Sequence, residues 1–200
     1  MMPAADLQLI SGRLERGEIN STEYLQQLTR FVATKIGCSR AGVRVFIEAA
    51  EGRALRSVAM FDATLDRMVV APDMPNADQG RYFECLQHDG SVCVAHARTD
   101  PVTASLLNDY LLPANVVSLM DMCFSVNGVL FGTFSCEQVG APIDWSQRQL
   151  QTLRKIASRA SLSLMHAVST SVDTAPGALW EASTPNRLAT MPMPLDPQHK

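Results

Sequence analysis

One apolar segment near the middle of the chain restricts the possible folds more than any other part of the sequence. From Val116 to Gln138 it reads VVSLMDMCFSVNGVLFGTFSCEQ, and Asn127-Gly128 divides it into two runs. Asn-Gly between two apolar runs is the strongest short signal for a β-hairpin with a two-residue loop. Both faces of the two strands would be largely apolar, so the sequence predicts a central hairpin that is covered on both sides.

Two carboxylates, Asp121 and Glu137, interrupt this apolar hairpin. If pairing runs without interruption outward from Val126 and Val129, each residue lies opposite its counterpart and shares a face with it. This register places Asp121 and Glu137 on opposite faces of the sheet, where they cannot act together as a catalytic acid and base. Glu137, at the end of its strand, is expected near the surface in a structural ion pair.

Two long helices are predicted at the ends of the folded region. The segment INSTEYLQQLTRFVATKIGC has Asn20 and Glu23 in the positions of a capping box and Gly37 as a left-handed stop. A later helix is predicted after Asp144 as its N-cap and extends to Val168. Its apolar residues repeat at spacings of three and four, a seam that packs against another helix: Leu150, Leu153, Ala157, Ala160, Leu164 and Ala167.

Between these helices the pattern changes to strands and short helices. GVRVFIEAAEG and RALRSVAMF alternate apolar and polar residues, which predicts a hairpin, turning at Glu51-Gly52, with one face exposed to water. DRMVVA predicts a short strand within a loop, QGRYFECLQHD a short helix and SVCVAHA a strand. DPVTASLLNDYLLP predicts a helix that has Asp100 as N-cap and ends before Pro113.

The composition argues against several classes of partner. The chain has 17 Lys and Arg, 20 Asp and Glu and a net charge of −3, without a basic run, so nucleic acid is not expected as a partner. No segment approaches the roughly 18 consecutive apolar residues of a membrane span, and no signal peptide is evident, which predicts a cytoplasmic location without a membrane partner. The 5 cysteines and 4 histidines lack metal-ligand spacing, so no metal site is expected.

A change in composition divides the chain into three parts. Residues 1–19 are expected to form an N-terminal helical extension, and residues 20–168 a single domain. The sequence after Val168 is rich in proline, and residues 169–200 are therefore expected to be a disordered tail.

From about Asn20 to His166 the chain resembles the GAF domain, particularly its bacterial sensory branch. The resemblance rests on YFECL, HARTDPVTASLLNDYLLPANVVSLMDM, NGVLFGTFSCEQVGAP and the DWS before the last helix, in this order and spacing. It implies an α+β fold with a six-stranded antiparallel sheet, terminal helices on one face, and short helices and loops that roof a small-molecule cavity on the other. Together with the seam it implies a homodimer through helices 21–36 and 145–168 that signals to a separate partner.

The chain departs from this family at positions that bear on the ligand. Met120-Asp121-Met122-Cys123 stands where relatives usually have Leu-Asp-Val-Pro, and Gln138 and Ile143 replace a frequent histidine and a frequent arginine. Cys85 is followed by Leu86, whereas relatives that attach a bilin have a histidine there. We therefore expect no covalent bilin, and a noncovalent small molecule as the ligand.

The candidate ligand-binding residues lie on the predicted roof and on one face of the predicted hairpin. Asp121 either accepts hydrogen bonds from a ligand or holds a loop of the roof, because an unpartnered carboxylate among apolar side chains costs several kcal/mol. Asp100 either serves only as an N-cap or places a helix N-terminus beside an anionic group of the ligand. The full set comprises Tyr82, Phe83, Asp100, Tyr110, Leu119, Asp121, Cys123, Phe134 and Cys136.

These features together predict a sensor that binds a small molecule and catalyses no reaction. Three alternatives remain: a thiol-dependent enzyme of the free methionine sulfoxide reductase type, a protein that binds haem or another tetrapyrrole noncovalently, and a degenerate module that only dimerises. The thiol enzyme needs a low-pKa thiol open to the cavity. The predicted register puts Cys123 and Cys136 on one face about 13 Å apart along the strands, too far for a disulfide.

Overall fold

The alternating segments of the sequence form one sheet, whose two faces are covered by different kinds of helix. The computed structural model describes residues 7–49, 52–74 and 80–171. Its strands are β1 Arg40–Ala49, β2 Gly52–Asp62, β3 Arg67–Met68, β4 Ser91–Val94, β5 Val116–Val126 and β6 Val129–Val139. They pair antiparallel in the order β3-β2-β1-β6-β5-β4, so the expected α+β fold with a six-stranded antiparallel sheet is confirmed.

Long helices cover one face of the sheet and short helical segments cover the other. The helical elements are α1 Leu7–Glu15, α2 Ser21–Ile36, α3 Arg81–Asp89, a 3₁₀ turn Ala104–Leu106, a π-helical turn Leu107–Leu111 and α4 Gln147–Ser171. We call the face that carries α1, α2 and α4 the helical face, and the face under α3 and the two turns the roofed face. No helix in the described ranges is both long enough and apolar enough to span a bilayer.

Local sequence signals set the ends of α2 as predicted. The side chain of Asn20 accepts a hydrogen bond from the backbone N–H of Glu23 at 2.9 Å, and the Glu23 carboxylate accepts one from the backbone N–H of Asn20 at 2.9 Å. Gly37 ends the helix with a φ of 74°, a left-handed conformation that glycine adopts without a Cβ clash. The capping box and the glycine stop are both confirmed.

The start of α4 differs from the prediction by two residues. Ser146, not Asp144, caps the helix, because its hydroxyl accepts from the backbone N–H of Gln149 at 3.2 Å. The Gln149 side chain accepts from the backbone N–H of Ser146 at 2.8 Å, which completes the cap, and it also donates to the carbonyl of Ile36 at 2.8 Å. That last bond joins the first turn of α4 to the last turn of α2.

The apolar seam of α4 packs within the same chain. It contacts α2 and β5, and the residues it buries are Leu153, Ala157, Ala160, Leu164 and Ala167. Leu7, Ile10 and Leu14 of α1 join the same apolar core. The seam is therefore covered within one chain. Association of two copies through helices 21–36 and 145–168 stays a prediction.

The central hairpin contains a β-bulge that changes its register. Ser125 lies opposite Leu130, as predicted, but Phe124 lies opposite Gly132, so Phe131 is an extra residue on β6. A Cβ atom on Gly132 would overlap the backbone carbonyl of Arg44 on the neighbouring strand β1. The bulge therefore places the only glycine of β6 at a point where the backbone of β1 leaves no room for a Cβ atom.

The shifted register reverses the prediction for the two carboxylates. Asp121 lies opposite Ser135 and Leu119 lies opposite Glu137, so Asp121 and Glu137 face the same side of the sheet. The prediction that they lie on opposite faces was wrong, because one inserted residue moves every later side chain of β6 to the other face. Both carboxylates belong to the roofed face.

The same shift separates two cysteines that were predicted to share a face. Cys123 pairs with Thr133 and packs on the roofed face, whereas Cys136 pairs with Met120 and lies in the core of the helical face. The prediction of a common face was wrong for the same physical reason. A sheet now stands between the two thiols.

The segment predicted as one helix from Asp100 to Pro113 forms two short turns instead. The Asp100 carboxylate accepts from the backbone N–H of Val102 at 2.8 Å, so it does cap a turn. The Thr103 hydroxyl donates to the carbonyl of Ala97 at 2.6 Å. Side chain to backbone bonds of this kind compete with regular helix, and the chain continues as the 3₁₀ and π-helical turns.

Smaller differences concern the ends of elements. DRMVVA contributes only Arg67–Met68 to the sheet, and SVCVAHA only Ser91–Val94. The helix predicted within QGRYFECLQHD is confirmed as α3. Residues 169–171 of the predicted tail belong to α4, which runs three residues further than expected. Glu51 of the predicted turn and the rest of the tail, residues 172–200, lie outside the described residues.

Candidate functional site

Five polar side chains with almost no solvent exposure lie between the sheet and its roof. They are Arg44 of β1, Tyr82 of α3, Tyr110 of the π-helical turn, Asp121 of β5 and Glu137 of β6, each at most 1% exposed. We call this set the buried polar cluster. Charged side chains are almost never fully buried unless they are paired, so the bonds within this cluster decide what it can do.

Glu137 is the centre of one half of the cluster. Its Oε1 accepts from Nη2 of Arg44 at 3.2 Å and from the hydroxyl of Tyr110. Nη2 of Arg44 also donates to that hydroxyl, and the guanidinium carbon lies 4.9 Å from the centre of the Tyr110 ring, within cation–π range. The expected ion pair of Glu137 is present, but its expected position near the surface was wrong, because the bulge turns the residue under the roof.

In this half of the cluster Arg44 carries its charge and Tyr110 is neutral. Burial opposes the charged guanidinium, but the negative potential of the Glu137 and Asp121 carboxylates outweighs it and raises the pKa of Arg44. Burial raises the pKa of the Tyr110 hydroxyl well above its ordinary value. Tyr110 therefore stays protonated at neutral pH, and its hydroxyl donates a hydrogen bond to Glu137.

Asp121 forms the second half of the cluster with Tyr82. The Tyr82 hydroxyl donates to Oδ2 of Asp121. Burial raises the pKa of Asp121 to about 6, against the opposing effects of the Arg44 charge and the Tyr82 hydrogen bond. This carboxyl group therefore titrates close to neutral pH, although it is fully buried.

Replacing Asp121 with asparagine should remove a pH dependence of stability. The pKa of Asp121 is about 6 in the folded protein against an ordinary value of 3.8, so the folded state binds the proton more tightly. This tighter proton binding by Asp121 adds about 3 kcal/mol to the free energy of unfolding below about pH 4. The added stability is lost as the pH rises through about 6. Urea unfolding of both proteins from pH 4 to 7 measures it, because other groups cancel in the difference.

The matched control for that experiment is Glu84→Gln, which neutralises an exposed carboxylate on α3. This variant should keep the pH profile of the unaltered protein. A difference between the unaltered protein and Asp121→Asn that does not change with pH would show that Asp121 is already ionised in both states.

Several polar atoms of the roofed face have no partner among the described residues. They are Nε and Nη1 of Arg44 and Oγ1 of Thr133. A buried polar group left unpaired costs about 1–3 kcal/mol, and such groups are normally bonded to ordered water or to a ligand. Both donors and acceptors are unpaired, so the cluster is not saturated by the protein alone.

A cavity of about 310 Å³ adjoins the cluster at Tyr110 and Glu137. We call it the side cavity. Arg40 of β1 lies at its wall beside Glu137. The remaining lining is mainly apolar and consists of Met60, Val69, Val70, Ala71, Pro72, Pro113, Ala114 and Asn115. A cavity of this size, with few polar groups in apolar walls, has the character of a small-molecule site.

The structure brings together most, but not all, of the residues predicted to bind a ligand. Phe134 and Cys136 lie on the helical face in the apolar core with α2 and α4, away from the cavity. Asp100 is half-buried at the end of a loop and caps its own turn. The members that do lie on the roofed face are Tyr82, Phe83, Tyr110, Leu119, Asp121 and Cys123.

Sequence reasoning missed Arg44 and Arg40. Arg44 lies in a strand that was predicted to expose one face to water, where an arginine is ordinary, and Arg40 lies just before that predicted strand. In the structure that face lies under the roof, and Arg44 is 0% exposed. The pairing of Arg44 with Glu137 depends on the bulge at Phe131, and the hairpin pattern gives no signal for it.

Three of the five thiols have a raised pKa. Burial raises the pKa of Cys123 to about 12, and the nearby Asp121 adds to this. Burial also raises the pKa of Cys136 well above its ordinary value and raises that of Cys93. A nucleophilic thiol needs a lowered pKa, which these three cysteines lack. Within the described ranges no cluster of three or more histidine, cysteine or carboxylate side chains is placed to hold a metal ion.

The chain is similar to known domains over most of its length. The family model described as GAF domain matches residues 20–164. The photosensory core module of the Stigmatella aurantiaca phytochrome is 17% identical with a TM-score of 0.58, and the match covers 84% of this chain and 37% of that one. This chain therefore spans little more than a third of that module.

Two further solved structures match over nearly the whole of their own length. The phycoerythrobilin-bound GAF domain from a cyanobacterial phytochrome is 14% identical with a TM-score of 0.61, covering 82% of this chain and 95% of that one. A domain of a protein described as a two-component sensor histidine kinase, from Sinorhizobium meliloti 1021, is 14% identical with a TM-score of 0.50, covering 72% and 90%. At these identities the likeness concerns the fold. No curated protein matches the chain significantly.

Proposed function

This chain belongs to the GAF domain family, over residues 20–164, and on that premise we propose that it is a sensory module that binds a small molecule without transforming it. The ligand occupies the side cavity, on the roofed face of the sheet. Binding there changes the position of the roof relative to the sheet. The module passes this change on to other protein surfaces.

The observation that carries the proposal is the side cavity of about 310 Å³ beside the buried polar cluster. Ligand sites in proteins are mostly apolar and carry a few convergent polar groups, with volumes from about 300 Å³ upward. Here Tyr110 and Glu137 belong both to the cavity wall and to the cluster. A molecule in the cavity therefore contacts the side chains that hold the roof on the sheet.

Two tyrosines give the proposed signal its starting point. Tyr82 joins α3 to Asp121 of β5, and Tyr110 joins the π-helical turn to Glu137 of β6. Each hydroxyl is the polar link between a roof element and a central strand. A ligand that changes the bonds of Tyr110 biases the roof between two positions, by no more than its difference in affinity for them.

We further propose that two copies associate through the outward sides of helices 21–36 and 145–168, and that a separate protein receives the signal. Leu162, which is 67% exposed, lies on the outward side of α4, a helix whose other leucines are largely covered.

The geometry does not favour the alternative ligands or activities. A structural relative binds phycoerythrobilin, but here Arg44, Tyr82 and Tyr110 fill the space between sheet and roof, and they are buried. A side cavity of about 310 Å³ does not enclose a tetrapyrrole. The raised thiol pKa values of Cys123 and Cys136 oppose the thiol enzyme.

Native mass spectrometry of the freshly purified full chain tests ligand binding and association together. We expect a dimer mass at micromolar concentration and a small-molecule adduct that is lost on collisional activation. An adduct found on a monomer would contradict the proposed dimer and support the proposed binding of a small molecule. A dimer that never carries or accepts a small molecule would support the degenerate dimerisation module instead.

A further inference from the structure

Two opposite charges lie side by side at the wall of the side cavity. Arg40 of β1 and Glu137 of β6 are direct cross-strand partners, and both line the cavity. Residues in such a pair have Cβ atoms about 4.5–5.5 Å apart. Despite this proximity, no ion pair joins them among the described residues, because each is bound elsewhere.

Each of the two side chains keeps one polar atom without a protein partner in the described structure. Arg40 donates from Nε to Asp62 at 2.8 Å and from Nη1 to the carbonyl of Ala114 at 2.8 Å, which leaves Nη2. Glu137 accepts the hydrogen bonds of Arg44 and Tyr110 through Oε1, which leaves Oε2. The wall therefore offers a cationic donor and an anionic acceptor next to each other.

The two charged residues of the cavity wall are already paired with protein groups. Arg40 is paired with Asp62, and Glu137 is paired with Arg44. A ligand that is only an anion would face the Glu137 carboxylate, and one that is only a cation would face the Arg40 guanidinium, so a single charge of either sign meets repulsion at this wall. A molecule that carries both signs satisfies the two remaining atoms.

The other walls set the size and polarity of the rest of the ligand. Met60, the segment 69–72 and Pro113 present mainly apolar surface. A volume of about 310 Å³ corresponds to roughly ten water molecules at about 30 Å³ each. That space suits an apolar group of a few carbon atoms attached to a small charged head.

We propose that the ligand of the side cavity is an α-amino acid with an apolar side chain, bound as the zwitterion. Its carboxylate accepts from Nη2 of Arg40, its ammonium group donates to Oε2 of Glu137, and its side chain packs against Met60 and the segment 69–72. This inference rests on the proposed function and specifies the chemical class of its ligand.

Isothermal titration calorimetry of the full chain with matched probes tests the class. The probes are L-leucine, L-phenylalanine, 4-methylpentanoate, which lacks the ammonium group of leucine, and 3-methylbutylamine, which lacks its carboxylate. We expect at least one of the two amino acids to bind. Each of the two truncated probes should bind at least about tenfold more weakly than L-leucine, because each loses a charge-assisted hydrogen bond.

Two variants separate binding in the cavity from binding elsewhere. Ala71→Phe fills the cavity from the wall opposite the cluster and should abolish binding, whereas Ala141→Phe makes the same change at an exposed position after β6 and should not. Glu137→Gln should weaken binding of the amino acid and abolish its preference over 4-methylpentanoate. Thermal unfolding of each variant shows that the protein tested is folded.

The outcomes distinguish this inference from the function on which it rests. Equal affinity for L-leucine and either truncated probe overturns the inference, as does binding that survives Ala71→Phe. If neither amino acid binds but the purified protein retains another small molecule, the ligand class is wrong and the sensory function stands. If no probe binds and no molecule is retained, both fail.

Discussion

Gly132→Ala should cost the protein about 3 kcal/mol or more of its free energy of unfolding. A Cβ atom at this position would overlap the carbonyl oxygen of Arg44 and would lie 2.9 Å from the Cα atom of Val45. Both are backbone atoms of the central strand β1, which cannot turn aside as a flexible side chain does. Overpacking in a sheet costs about 1–3 kcal/mol or more, and here it also weakens the pairing of β1 with β6. Equilibrium unfolding in urea measures the loss.

The matched control is Gly12→Ala in α1. The added methyl group there would meet only the end of the exposed Arg16 side chain, with a nearest distance of 3.1 Å. Alanine is about 1 kcal/mol better than glycine within a helix, so this variant should be neutral or slightly more stable. Equal stability of Gly132→Ala and the unaltered protein would show that the bulge moves without cost, and the register would then not be fixed by glycine.

Arg44→Met should destabilise the protein by about 3–5 kcal/mol, the usual consequence of removing one partner of a buried ion pair. The methionine fills much of the space of the arginine stem, so the loss comes from the two buried carboxylates that Arg44 stabilises, Glu137 and Asp121. The loss should be larger at pH 8 than at pH 5, because the Arg44 charge opposes the raised pKa of Asp121, and without it the buried Asp121 carboxylate is harder to ionise. Urea unfolding at the two pH values measures both effects.

The double variant Arg44→Met with Glu137→Gln completes a thermodynamic cycle. Glutamine keeps an acceptor for the Tyr110 hydroxyl and removes the charge, so the double variant should be more stable than Arg44→Met alone by about 1–3 kcal/mol. A loss below about 1 kcal/mol for Arg44→Met would mean that water reaches Glu137 and that the cluster is not dry.

Signals carried by neighbouring residues predicted local structure well. The ends of α2 follow from Asn20, Glu23 and Gly37, which act within one turn of the helix, and the structure confirms them. The Asn127-Gly128 turn is likewise local, and Val126 pairs with Val129 as predicted. The six-stranded sheet and its two unlike faces came from the resemblance to a family, because strand order depends on contacts between distant segments.

The candidate site was only partly predictable, because its key contacts depend on tertiary structure. The bulge at Phe131 lies where β6 meets the backbone of β1. The sequence of the hairpin does not indicate which strand will lie beside it, so it does not predict the bulge. A register without the bulge places Asp121 and Glu137 on opposite faces, and the strand pattern predicts that Arg44 faces water. Tyr82 and Tyr110 were identified as candidates from the roof segments, but their bonds to the two carboxylates required the true register.

The inward seam of α4 limits how α2 and α4 can transmit the proposed conformational change to a partner. Its leucines and alanines are interleaved with α2 and the sheet, and Gln149 fastens the first turn of α4 to the end of α2. Sliding or rotating one helix against the other would open the apolar core. If the proposed signal passes through the sheet, we therefore expect α2 and α4 to tilt together as one unit, and a partner to meet a change in their angle with the same residues on the surface.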